Sequence, residues 1–193
     1  MLLVNKLTKK DFVVDYSKVI LILHGSLCAF IVYTCMYAVR KPYTVSSYDG
    51  LKQFGISYKV VLVTAQVLGY MLSKFIGIKF ISEVKHKSRP LLIIFLISVG
   101  WLSLFFFAIA PIQYKFIFMF TNGLPLGMIW GLLFGYLEGR KFTDLMGALL
   151  ATSFIISSGL AKTMGGLILG YTYFNQWWMP FVVATLFMPA MYL

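Results

Sequence analysis

The sequence predicts an all-α, polytopic membrane protein of six transmembrane helices with its N-terminus in the cytoplasm. Hydrophobic residues make up 60% of the 193 and aromatics 18%, with a mean hydropathy of +0.86, far above that of water-soluble domains. Apolar runs of about 20 residues, enough to cross a hydrocarbon core of roughly 30 Å, recur along the chain with short polar breaks. The cations sit mainly at the ends of those runs and favour one side.

Residues 1–17 form a polar lead carrying Lys6, Lys9 and Lys10. Apolar runs follow at 18–40, 59–81, 90–110, 115–137, 146–170 and 178–193, and together they form one six-helix bundle. Helices satisfy their backbone groups internally, as hydrocarbon demands. The alternating ten-residue segments of a β-barrel are absent. The first run is too long for a signal-peptide core and leads into Tyr37-Ala38-Val39-Arg40, not a cleavage site, so it is read as a retained span. Cys28 and Cys35 lie seven apart inside it and read as small packing residues, with neither disulfide nor metal implied. The second run carries Gln66, Tyr70 and Lys74 at i, i+4 and i+8 on one face, with Gly69, Ser73 and Gly77 beside them. The fourth holds Gly123, Gly127, Gly131, Gly135 and Gly139, an unbroken four-residue spacing that lets helix backbones approach closely. In the fifth, Lys162 shares a face with Ser158 and Gly165, and Gly166 and Gly170 repeat the small-residue spacing. The sixth ends at Met191-Tyr192-Leu193 while still apolar, from which a chain truncated before a second six-helix half is expected.

Orientation follows from the Lys/Arg bias. Lys6, Lys9, Lys10, Lys18, Lys79, Lys85, Lys87, Arg89, Arg140 and Lys141 fall on the side of the N-terminus, against Arg40, Lys41, Lys52, Lys59 and Lys115 on the other. The net charge of +11 forms no solvated patch interleaved with aromatics, so nucleic acid is excluded as a partner. The expected partners are the lipid bilayer, a small anion, and a missing C-terminal half or a second copy of the chain.

Cations inside hydrocarbon are costly and mark function by default. Lys74 and Lys162 are the clearest cases, and they occupy corresponding places if helices one to three and four to six are inverted repeats. Arg40 and Lys41 close the first helix, following Tyr33 and Tyr37, which lie one turn apart. A plainer reading makes Lys74 and Lys162 snorkelling residues and Arg40 an interfacial anchor. The acids weigh against it: Asp11, Asp15, Asp49, Glu83, Glu138 and Asp144 all fall in loops or at helix ends. A buried cation without a carboxylate calls for an anion from outside, and arginine supplies a planar fork suited to phosphate or carboxylate. Catalysis has little to draw on, since His24 and His86 are the only histidines. Neither a nucleotide loop nor a metal-ligand cluster is present, so no cofactor is expected.

Tyr37-Ala38-Val39-Arg40-Lys41-Pro42, then Gly69-Tyr70 and Ser73-Lys74-Phe75, resemble the N-terminal half of the major facilitator superfamily, nearest its organophosphate:phosphate antiporters. Ala161-Lys162-Thr163-Met164-Gly165-Gly166 is similar to that branch's fifth helix, where histidine usually replaces Lys162. A related bacterial family of unknown function has the same overall pattern. The resemblance implies a bacterial inner-membrane carrier working by alternating access, with Arg40 on the substrate phosphate and Lys74 lining the same cavity. The loop after helix two departs from the superfamily's Asp-Arg-x-Gly-Arg-like run, keeping only its mixed charge. The expected site is Arg40, Lys74 and Lys162 as cationic ligands, with Gln66, Tyr70 and Tyr37 as polar lining. A membrane protein that holds anionic lipid heads, or an inactive fragment, is the alternative.

Overall fold

The computed structural model describes residues 16–137, 143–171 and 174–191. They are helical almost throughout: α1 (Tyr16–Arg40), α2 (Tyr58–Glu83), α3 (Arg89–Ile109), α4 (Lys115–Leu137), α5 (Thr143–Tyr171) and α6 (Met179–Phe187). Five of them, α1 to α5, are long and apolar enough to cross a membrane. Their outer faces carry large apolar side chains such as Phe75, Ile78, Leu91 and Ile155, as expected where lipid is the solvent. Most of the polar lead lies outside the described residues, as does Gly139, while α1 has already begun at Tyr16.

Within the expected sixth span, 178–193, the described residues form a shorter apolar helix. α6 stops at Phe187 and tightens into a 3₁₀ turn, Met188–Met191. Pro189 lies in that turn; its ring lacks an N–H donor and crowds the preceding turn.

α4 is the spine of the bundle, with α2 and α3 both packed on it, while α1 packs on α5 and α6. Glycine sets the α2–α4 distance. A Cβ at Gly69 would meet the Phe120 carbonyl, one at Gly123 the Gln66 carbonyl, and one at Gly127 would lie 2.6 Å from the Tyr70 carbonyl oxygen. Further along, Gly131 faces Ile81 and Gly135 faces Arg89. Gly166 and Gly170 instead face open space, and on α5 it is Gly165 that sits against Pro42, Val45 and Met179. Among the described residues, the Gly166–Gly170 spacing therefore brings no helix close.

Each end of the α3–α4 pair is tied by a cation from the other helix. Lys115, the first residue of α4, donates from Nζ to the carbonyls of Phe107 (2.5 Å) and Ala108 (3.0 Å) in the last turn of α3. Arg89, the first residue of α3, donates to the Gly135 carbonyl near the end of α4. A positive charge opposes its own helix's N-terminal dipole but stabilises the C-terminus of an antiparallel neighbour. Lys115 is 3% exposed, with Trp177 and Phe107 rings 4.6 Å and 5.2 Å from its Nζ.

The link from α1 to α2 is a 3₁₀ turn, Pro42–Val45, followed by a hairpin of β1 (Lys52–Gln53) and β2 (Ile56–Ser57). Phe54 and Gly55 at its tip have φ of 54° and 78°, the left-handed pair that a two-residue hairpin turn requires. Gln53 Nε2 and the Tyr58 hydroxyl bond the carbonyls of Gln113 and Ile112, fastening the hairpin to the α3–α4 connection.

Candidate functional site

The end of α1 is where the polar side chains collect. Arg40 is half-buried, and its guanidinium carbon lies 4.2 Å from the centroid of the Tyr70 ring on α2. Lys74, one turn further along α2, brings its Nζ to 4.8 Å from the same centroid. One aromatic ring thus holds two cations, each attracted by its π-face. Among the described residues no carboxylate lies against either, and the Asp49 carboxylate is taken up locally by the Ser47 hydroxyl at 2.6 Å.

Lys41 and Lys162 form a second pair. Burial, and after it the neighbouring charges of Arg40 and Lys162, hold the Lys41 ammonium below the ordinary lysine value. Lys162 is exposed on α5, whose Gly165 packs on Pro42. Four cations therefore lie around the α1 terminus: Arg40 and Lys74 meet on Tyr70, and Lys41 feels the charges of Arg40 and Lys162.

Tyr37 is half-buried, with its ring centroid 6.3 Å from both the Tyr33 and Phe154 rings. Tyr33 is 1% exposed, and its hydroxyl has no hydrogen-bond partner. It lies two helical turns before Arg40 on α1, with its ring against those of Tyr37 and Phe154.

Gln66 has a different setting from the expected cavity lining. It is 4% exposed and its amide is used within the bundle. Its Oε1 accepts from the Tyr43 hydroxyl at 3.0 Å, and its Nε2 donates to the Arg40 carbonyl at 3.1 Å and to Asn122 Oδ1 at 2.7 Å. Asn122, fully buried on α4, in turn donates to the Gly100 carbonyl at 2.9 Å. Burial pushes the Tyr43 hydroxyl up, with Arg40 pulling the other way, so Tyr43 stays a donor at neutral pH. This network ties α1, α2, α3 and α4 together at the backbone of Arg40.

Sequence reasoning passed over Asn122, whose signal was a lone amide in an otherwise apolar, glycine-spaced run, and gave Tyr33 no role of its own. His24 has Cys28 Sγ as its neighbour at 3.7 Å. Among the described residues no group of His, Cys, Asp and Glu is placed to hold a metal ion.

Comparison with known proteins finds one family, described as a family of unknown function, matching residues 42–193. No curated protein and no solved structure matches the chain.

Proposed function

This chain belongs to the family of unknown function DUF5690, and we propose that it is the N-terminal unit of a secondary transporter for an anionic small metabolite. The observation that carries the reading is the convergence of Arg40 and Lys74 on one ring, with no carboxylate from the described residues to neutralise them. Cations held within a membrane without a carboxylate are stabilised by an anion that the site itself admits. Arg40 offers two parallel donors to a phosphate or carboxylate, Lys74 a point charge, and the unpartnered Tyr33 hydroxyl a third donor. A phosphorylated metabolite is the substrate class favoured by the resemblance to organophosphate antiporters.

The packing supports a repeat-based carrier. Exchanging helices 1, 2 and 3 for 4, 5 and 6 carries the α2–α4 pair onto α5–α1 and the α3–α4 pair onto α6–α1, which are the four most extensive helix contacts. Inverted repeats produce such exchange symmetry, and alternating access then uses a site at the repeat interface. The Lys/Arg bias supports an N-terminus inside, and the family resemblance a bacterial inner membrane. Transport would take a second six-helix half or a second copy of the chain.

The exposure of Lys74 and Lys162 favours a second reading, in which both hold lipid headgroups and nothing is carried. Counterflow of labelled organophosphates by the full-length protein in liposomes separates the two. Arg40→Ala is expected to abolish uptake, while undiminished uptake removes Arg40 from the site.

A further inference from the structure

We propose that the groove between α2 and α3 is a binding site for one anionic phospholipid. Its origin is the packing already described: α2 and α3 both lean on α4 and not on each other, so they diverge on the side away from it. The gap is a groove of about 660 Å³ lined by Phe80 and Val84 from the end of α2, and by Ser88, Leu91, Phe95 and Ser98 along α3. The α3 residues recur at the spacing of a single helix face.

Length and charge identify the occupant. From Ser88 to Ser98 the groove runs about 15 Å along α3, roughly half the hydrocarbon core, which is the depth of one leaflet. It opens at the α2–α3 connection, where every lining residue is the sequence neighbour of an exposed lysine: Phe80 of Lys79, Val84 of Lys85 and Ser88 of Lys87. Glu83 is the one acid among residues 79–89. The first turn of α3 starts at the same mouth, and its dipole favours a negative group there. An apolar slot one leaflet deep, with three exposed lysines in the segment at its mouth, matches a single acyl chain below a phosphate headgroup. Lysines at a membrane surface select anionic over zwitterionic lipid.

This site shares no residue with the Arg40 cluster, so either can fail without the other. Native mass spectrometry of the purified full chain, exposed to phosphatidylglycerol, phosphatidylcholine or chain-free glycerol phosphate, tests it. One retained phosphatidylglycerol per chain is expected, with phosphatidylcholine lost and glycerol phosphate failing to compete. Exchanging Lys79, Lys85 and Lys87 for Gln should lower the preference about fivefold per lysine. Leu91→Trp, at a side chain 74% exposed and so outside the core, should block retention of phosphatidylglycerol while leaving the melting temperature unchanged. Equal retention of the two lipids, a preference untouched by the triple substitution, or displacement by free glycerol phosphate would each overturn the proposal.

Discussion

Replacing Gln66 with Leu separates two accounts of the same residue. As a cavity-lining amide, Gln66 would face water or substrate, and the change would cost binding but little stability. As the hub seen in the structure, it holds three partners at once: the Tyr43 hydroxyl, the Arg40 carbonyl and Asn122 Oδ1. Leucine nearly preserves the volume and orphans all three. Each buried group left unpaired costs about 1–3 kcal/mol, so the loss is expected to be at least about 3 kcal/mol. Tyr43→Phe removes one bond and should cost about 1 kcal/mol. The double substitution should cost less than the sum, because the Gln66 change already strands Tyr43. Reversible unfolding in mixed micelles, followed by tryptophan fluorescence, measures all three variants. A Gln66→Leu protein within about 0.5 kcal/mol of the parent would refute the hub account and return Gln66 to the cavity wall.

Three further outcomes are expected. Gly127→Ala puts a methyl 2.6 Å from the Tyr70 carbonyl oxygen and 2.7 Å from the Ser73 Cβ; α2 and α4 must part, costing about 1–3 kcal/mol. Gly166→Ala faces open space and should be neutral or gain up to about 1 kcal/mol from helix propensity, so paired thermal melts of the two give opposite signs. Lys115→Met strips the last turn of α3 of its charged donor and should cost about 1.5–3 kcal/mol, read by the same unfolding assay. Lys41, held below the ordinary lysine value by burial and by Arg40 and Lys162, gives a pH dependence of definite sign. Its protonated form favours an anion, so affinity for sulfate, whose charge is constant there, should fall as pH rises through the lowered value. Between that value and the ordinary one the unfolded chain binds more protons than the folded chain, so stability should rise with pH. Calorimetric titration of Lys41→Gln should lose the affinity slope, and a slope that persists assigns it to another group.

The spans were legible because run length and polar breaks are local properties. The expected 115–137 coincides with α4, and 59–81 lies inside Tyr58–Glu83. What could not be read was depth and partner. A period of 3.6 puts Gln66, Tyr70 and Lys74 on one face, yet the neighbours of that face change along the helix. At Gln66 they are the end of α1 and Asn122, and one turn on they are the guanidinium of Arg40. Lys115, at the start of the run 115–137, counted only as one of the cations on the side opposite the N-terminus. The tight 110–114 connection folds it back under the α3 carbonyls instead.

The position of Arg40 follows from how α1 ends. Pro42 has no N–H to return to the Ala38 carbonyl, and the chain tightens into the 3₁₀ turn Pro42–Val45. The Thr44 amide, which would have closed on the Arg40 carbonyl in a continuing helix, bonds the Lys41 carbonyl at 3.1 Å. The Arg40 carbonyl is thereby released inside the bundle, where an unpaired acceptor is expensive. Gln66 and Asn122 lie where that acceptor emerges, because α2 and α4 are drawn together by Gly69 and Gly123. The proline break, the glycine contact and the amide pair are therefore one arrangement. It fixes the backbone of Arg40 and so holds the guanidinium over Tyr70, where a substrate anion would meet a preset charge.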